Sequence, residues 1–152
     1  MAEAVAGIGL AANVLQFLDF GSRFISLAWR IYTTGTNNVI NGPSLQVLTK
    51  NLQDVLAGLH NQAPGDQIGM AQLGEECSRV ARQLLESLNS LVIPEKGRKR
   101  DAIMVAFKTM WKRDQIKTLQ QELDGFRQQL SLQLLISLRY HEHHGSLSSL
   151  NT

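Results

Sequence analysis

The chain has 152 residues, of which 43% are hydrophobic and 18% are charged, and its formal net charge is +2. This size and composition exclude a disordered chain and predict one folded domain. Such a small net charge also argues against a chain that binds nucleic acid along its whole length. The single cysteine, Cys77, excludes an intramolecular disulfide bond and favours a reducing compartment. Because the chain also lacks the basic start and cleavage site of a secretory signal, we expect a cytoplasmic protein.

The first predicted element is a long amphipathic helix over residues 2–32 with an unusually apolar start. Residues 4–12 carry no polar side chain, whereas Asp19 and Arg23 follow at the i,i+4 spacing of a helical ion pair. These two charges interrupt the apolar run, so we do not expect the helix to span a membrane. A stripe at three- and four-residue spacing is predicted to face the core, namely Val5, Ile8, Ala12, Leu15, Leu18, Ser22, Ile25, Trp29 and Tyr32.

Two further long helices follow, one opening at Pro43 and one ending before Pro94. The core face predicted for the second helix consists of Leu45, Leu48, Leu52, Val55 and Leu59. The face predicted for the third consists of Leu73, Cys77, Val80, Leu84, Leu88 and Leu91. On this face we expect Cys77 to be a buried, unreactive thiol.

A short helix over residues 101–111 and a last long helix from about residue 114 complete the pattern. The short helix is predicted to turn Ile103, Phe107, Met110 and Trp111 inward. The last is predicted to turn Ile116, Leu119, Leu123, Phe126, Leu130, Leu134 and Leu138 inward, and Gly125 within it indicates close packing by a neighbouring helix. Since strand patterns are almost absent, we predict an all-α fold, an up-and-down bundle of four long helices and one short one. We expect the bundle to occupy residues 1–140 and residues 141–152 to form a flexible tail or linker.

The apolar start of the first helix is the sharpest candidate for a functional site. One interpretation buries it in the bundle like any other helix. However, its apolar side chains point in several directions, which is typical of a helix that enters lipid or binds a partner. The residues assigned to this role are Val5, Ile8, Leu10, Val14 and Phe17. Gly7 and Ala11 are four residues apart, a spacing that allows close helix–helix contact.

A second candidate is the basic loop before the short helix, which contains Lys96, Arg98, Lys99 and Arg100. Residues 95–117 hold eight Lys or Arg against three Asp or Glu, whereas the rest of the chain is slightly acidic. A solvated loop, a contact with anionic lipid and a nucleic-acid or import signal are all compatible with this pattern. The scarcity of nearby aromatic residues argues against nucleic acid as a partner.

Sequence motifs for catalysis are absent. The chain has no Gly-rich phosphate loop, no His-Glu-x-x-His and no paired cysteines. His141 and His144 could share a helix face, but no third ligand is evident, so a solvated tail is the favoured interpretation. We therefore expect no catalytic residue, no metal and no cofactor.

Two stretches of the sequence resemble a known family. Residues 9–21 read GLAANVLQFLDFG, and Met110-Trp111-Lys112 leads into a closing helix that contains Phe126-Arg127, Leu134-Leu135 and Ser137-Leu138-Arg139. These patterns resemble the HeLo-like N-terminal helical domain of fungal NACHT/STAND (NOD-like receptor) proteins, over about residues 1–140.

The resemblance implies a non-enzymatic effector domain at the head of an immune-type receptor. Its implied partners are further copies of itself, an anionic membrane surface and a NACHT-type nucleotide-binding module, and its implied action is membrane permeabilisation in regulated cell death and non-self recognition. The start of the first helix, Ala2 to Leu15, would be the inserting element, at the plasma membrane. The alternative function is an adaptor that recruits a downstream effector by helix packing, without a membrane step.

Overall fold

The structure is a computed structural model, which describes the backbone of residues 2–34, 42–60, 68–92 and 100–150 and the side chains of 9–33, 44–60, 68–91 and 102–139. The described residues form five helices, α1 (Ala2–Thr34), α2 (Gly42–His60), α3 (Ile68–Val92), α4 (Arg100–Met110) and α5 (Arg113–Leu150). No strand occurs in the described ranges. The predicted all-α bundle of four long helices and one short helix is confirmed. The segment Pro64-Gly65-Asp66, whose residue types predict a turn, lies outside the described residues.

Long helices that follow one another along the chain run antiparallel, and the start of α3 packs at Gly74 against Leu10 near the start of α1, which gives the bundle two distinct ends. Between α1 and α5, the ring centroids of Phe17 and Phe126 are 6.4 Å apart. Further along α1, the hydroxyl of Tyr32 donates a hydrogen bond to the carbonyl of Trp111, just before α5. Asn13 near the start of α1 donates a hydrogen bond to a carbonyl near the end of α2, at Gly58. The start of α1, the end of α2, the start of α3 and the last part of α5 therefore lie at one end. The end of α1, all of α4 and the start of α5 lie at the other.

An aromatic cluster around Phe24 joins α1, α4 and the turn before α5 in the core. The Phe24 ring is fully buried and lies 6.0 Å from the ring of Phe107 and 5.1 Å from Trp111, the latter edge-on. Edge-to-face contacts of this kind add to the stabilisation that comes from burial. The cluster also fixes α4, which at 11 residues is too short to be stable alone.

The predicted core faces of α2, α3 and α5 are confirmed over most of their length. The predicted members on α3 are all buried, and so are those on α5 from Ile116 to Leu130. On α2 the members alternate between buried and half-buried. Each of these helices has one apolar stripe at helical spacing, so only one orientation removes its large apolar side chains from water.

The orientation predicted for α1 is wrong, although Leu18 of the predicted stripe is buried. Ala12 is exposed and Leu15 is 54% exposed, although both belong to the predicted stripe. The buried stripe is instead formed by Leu10, Val14, Phe17, Gly21, Phe24, Ala28 and Ile31. The physical reason is that this face carries two phenylalanines, whose burial removes more apolar area from water than the burial of the predicted face. Ile25, Trp29 and Tyr32 remain half-buried at its edge.

The close helix contact expected at Gly125 occurs at a different glycine. A Cβ atom added to Gly125 would meet no atom within 4 Å, whereas one added to Gly21 would lie 2.5 Å from Cδ1 of Leu123. The absent side chain of Gly21 therefore lets Leu123 pack onto the backbone of α1. The prediction at Gly125 is wrong because this residue lies on the face of α5 that is turned away from the other helices.

The last part of α5 leaves the core earlier than predicted. Burial ends at Leu130, and Leu134 and Leu138 are exposed although they were predicted to face inward. In the antiparallel register, α3 begins at Ile68, close to Gln133, so it offers no surface to residues further along α5. Met110, likewise predicted inward, is exposed at the end of α4. The backbone of α5 is helical to Leu150. The expected boundary at residue 140 stays a prediction.

Candidate functional site

Exposed apolar side chains are concentrated at one end of the bundle. Among the described side chains, ten large apolar ones are exposed, and seven of these lie where α1 and α3 begin and α5 leaves the core. We call this set the apolar end: Leu15, Ile68, Leu132, Leu134, Leu135, Ile136 and Leu138. The other three, Val47, Val105 and Met110, are distributed over α2 and α4. Such concentration at one place is typical of a surface that contacts lipid or another protein.

The apolar end has an outward stripe and a shallow groove. Leu132, Leu135 and Leu138 are each more than half exposed and recur every three residues, so they share one face of α5. Leu134 lies on another face of α5, where it lines a groove of about 440 Å³ together with Leu15 and the buried Leu18 of α1. The sequence contained a signal for this surface, because the consecutive residues 134–136 are all apolar and cannot all face one core.

The α1 residues that were predicted to engage a membrane or a partner fall into two groups. Leu10, Val14 and Phe17 are buried in the core, and so is Ala11. Val5, Ile8 and Gly7 lie in the first turns of α1, and their side chains are outside the described set. From Leu10 onward, then, α1 does not offer its apolar face to a ligand while the bundle is closed. The assigned membrane or partner role of these residues stays a prediction.

Polar contacts also attach α1 to its neighbours. The side-chain amide of Asn13 donates to the carbonyl of Gly58 at 3.0 Å, and Arg127 on α5 donates to the hydroxyl of Ser22. The predicted pair of Asp19 and Arg23 is present at 3.2 Å, although both side chains are largely exposed. An exposed pair of this kind contributes only about 0.3–0.5 kcal/mol. The position of α1 therefore depends on its buried face and on the hydrogen bonds that Asn13, Ser22 and Tyr32 make with neighbouring elements.

Of the basic residues singled out in the sequence, the structure places only the backbone of Arg100. Lys96, Arg98 and Lys99 lie outside the described residues, and Arg100 begins α4 with its side chain likewise outside the described set. From Arg113, where α5 begins beside α4, to Leu138 the helix rises about 38 Å at ~1.5 Å per residue. The start of α4 and the apolar end therefore cannot form one compact site.

Another groove has a lining that is partly apolar and partly charged. It measures about 760 Å³ and lies between the end of α2 and the start of α3, where Glu75, Glu76, Arg79 and Arg82 form part of its wall. Among the described residues, no group of three His, Cys, Asp or Glu side chains is arranged to hold a metal ion. His141 and His144 lie on α5, but their side chains are not among those described.

Cys77 has the buried environment that its position in the pattern predicts. The residue is fully buried, and burial, with a smaller contribution from the negative charge of Glu76, raises the pKa of its thiol from 9.0 to about 12. The folded state thus binds the proton more tightly than the unfolded state. The resulting stabilisation is complete below the unfolded pKa and is lost as the pH rises from about 9 to about 12.

We expect Cys77 in the folded protein to resist thiol reagents at pH 8, because the thiolate is the reactive species. In native buffer, labelling with a chromogenic disulfide reagent should proceed only as fast as the protein unfolds. In denaturant it should finish within seconds. Rapid labelling in native buffer, with circular dichroism unchanged, would contradict the burial of this thiol.

No helix within the described ranges combines the length and the apolar character needed to cross a bilayer.

Comparisons of the chain with protein-family models, with curated proteins and with solved structures found no match. The position of the apolar end in the fold is therefore the observation that bears on function.

Proposed function

We propose that this chain is a non-enzymatic helical effector domain whose apolar end contacts an anionic membrane surface when several copies assemble. The observation that carries the proposal is the collection of seven exposed apolar side chains at one end of the bundle. The resemblance to the HeLo-like domains of fungal NOD-like receptors supports the same function. In that context the domain is cytoplasmic and is clustered by a NACHT-type module. Its recruitment to the plasma membrane leads to regulated cell death in non-self recognition.

The size of the apolar end explains why assembly would be needed. Transferring a half-exposed Leu or Ile out of water is worth about 1 kcal/mol, so the five such residues on α5 provide about 5 kcal/mol. A micromolar interaction requires about 8 kcal/mol. A single domain therefore binds weakly, whereas several clustered copies bind in concert and gain avidity.

The burial of α1 restricts how the domain would act. Its seven large core side chains stabilise the bundle by about 1.5–3 kcal/mol each, a total comparable to the 5–15 kcal/mol by which a whole domain is stable. Release of the complete helix would thus unfold the protein. We infer that the bundle stays closed and that only the turns of α1 before Leu10 join the apolar end at the membrane.

The second candidate function is an adaptor that binds a partner helix without a membrane step. The groove beside Leu15 and Leu134 favours it, since an amphipathic partner helix docks in such a groove through apolar side chains at three- and four-residue spacing. The burial of Leu10, Val14 and Phe17 also favours it, because these residues contact lipid only if the bundle opens.

The membrane proposal is tested by the double substitution Leu132→Gln/Leu135→Gln, which removes two exposed leucines from the outward stripe. The substitution removes about 2 kcal/mol of favourable apolar transfer, so the affinity for vesicles of anionic lipid, measured by co-sedimentation, should fall roughly 30-fold. The matched control is Val47→Gln/Val105→Gln, which removes two equally exposed apolar side chains elsewhere.

The proposal predicts that the control binds vesicles like the unmodified chain and that both variants remain folded by circular dichroism. An equal loss in both variants would mean that general surface apolarity, not the apolar end, drives binding. If the folded, self-associated chain binds no vesicles at all, the membrane step is wrong and the adaptor function is favoured.

A further inference from the structure

The corner where α1 ends and α5 begins carries two cationic side chains around one aromatic ring. Nζ of Lys108 lies 5.8 Å from the ring centroid of Tyr32, and Cζ of Arg113 lies 5.3 Å from the same centroid. Both distances are within the range of cation–π attraction. Lys112 stands between the two basic residues in the sequence and is exposed. We call these four residues the Tyr32 corner.

Tyr32 is held in place by its own hydroxyl group. The hydroxyl donates a hydrogen bond to the backbone carbonyl of Trp111 at 2.6 Å, with a longer contact of 3.3 Å to the carbonyl of Lys108. The ring is therefore tied to the turn between α4 and α5. Because the ring attracts both cations, it also restricts the positions of the Lys108 and Arg113 side chains. Because these side chains are already restricted, they lose less conformational entropy when a ligand binds.

The charge of the corner is not neutralised within the described part of the chain. Lys108 and Arg113 are exposed, and neither takes part in a salt bridge there. Residues 102–121 contain four Lys or Arg and one acidic residue, Asp114. Arg113 is also the first residue of α5, where the aligned backbone dipoles add partial positive charge. An anion at this position would relieve the repulsion between the cations.

We propose that the Tyr32 corner binds a ligand with two or more phosphate groups. Arg113 would hold one phosphate through its planar guanidinium, and Lys108 would contribute a point charge to the next. The ligand is either a multiply phosphorylated lipid headgroup or a soluble oligophosphate, since both present the same chemistry. This site is independent of the proposed function, because about 28 Å of α5 separates Arg113 from Leu132, the first α5 residue of the apolar end.

The test measures binding of inorganic tripolyphosphate by calorimetry to the full chain and to the variant Lys108→Gln/Arg113→Gln. We expect at least a tenfold loss of affinity in this variant. The matched control is Lys50→Gln/Arg79→Gln, which removes the same charge from two exposed cations on other surfaces, and it should bind within about twofold of the unmodified chain. Tyr32→Phe, which keeps the ring but loses the hydroxyl that anchors it, should lose less affinity than Tyr32→Leu, which loses both.

Two results would overturn the proposal. One is absence of tripolyphosphate binding by the folded chain at low salt. The other is an equal loss in both charge variants, which would indicate attraction by net charge alone. Competition distinguishes the source of the phosphates. If the site binds lipid headgroups, vesicles that contain phosphatidylinositol bisphosphate should displace tripolyphosphate, whereas phosphatidylserine vesicles of equal charge should not. Binding of tripolyphosphate without displacement by either vesicle supports a soluble ligand.

Discussion

Replacing Phe24 with alanine is expected to lower the free energy of unfolding by about 3–5 kcal/mol, the range for a buried phenylalanine. The ring is fully buried and contacts Phe107 from α4 and Trp111 from the turn before α5, so its loss leaves a cavity where three elements meet. Urea denaturation followed by far-ultraviolet circular dichroism measures this change. The loss should appear as a lower midpoint with a nearly unchanged slope.

The control for this substitution is Val105→Ala on α4, whose side chain is exposed. We expect it to change the unfolding free energy by less than about 0.5 kcal/mol, as surface substitutions usually do. A loss below about 1.5 kcal/mol for Phe24→Ala would mean that the aromatic cluster is not the centre of the core.

Deleting residues 2–15 is expected to destabilise the bundle by roughly 4–7 kcal/mol. The deletion removes the buried side chains of Leu10, Ala11 and Val14 and the hydrogen bond from Asn13 to Gly58, and each apolar loss leaves a cavity. This is a large part of the stability of a typical domain. Thermal unfolding of the truncated chain measures the effect, and a melting temperature within a few degrees of the intact chain would contradict it.

This expectation decides how the role of α1 at membranes has to be tested. Because the deletion damages the fold, a loss of vesicle binding in the truncated chain does not identify α1 as the inserting element. A disulfide between Asn13→Cys and Gly58→Cys provides a sharper test. A Cβ atom at position 58 would lie 3.3 Å from Cγ of Asn13, which stands where Sγ of a cysteine at position 13 would be. This is close to the ~3 Å from a Cβ atom to the far sulfur that an S–S bond of ~2.05 Å implies.

The oxidised form of this variant keeps α1 attached to α2, and the reduced form is its own control. If the bundle acts while closed, both forms should release dye equally from anionic vesicles. Release by the reduced form alone would mean that α1 has to separate, contrary to our inference. Cys77 is buried and has a raised pKa, so it should not exchange with the engineered pair.

The amino-acid sequence by itself determined the helical class and the buried faces of α2, α3 and most of α5. In these segments the large apolar residues recur on one side only, for example from Leu73 to Leu91 and from Ile116 to Leu130. The hydrophobic effect then permits one orientation, whatever the neighbouring helix is. Local spacing also sufficed for the ion pair of Asp19 and Arg23, since both partners lie on one helix.

Only the tertiary structure decided the orientation of α1, the exposure of the last part of α5 and the pairing of Tyr32 with Lys108 and Arg113. Since α1 has apolar residues on several sides, the shape of its partners selects the side that carries Phe17 and Phe24. The exposure of Leu138 depends on where α3 begins, and that cannot be inferred from the spacing within α5. Tyr32 meets residues more than seventy positions away, so their contact exists only once the helices have packed.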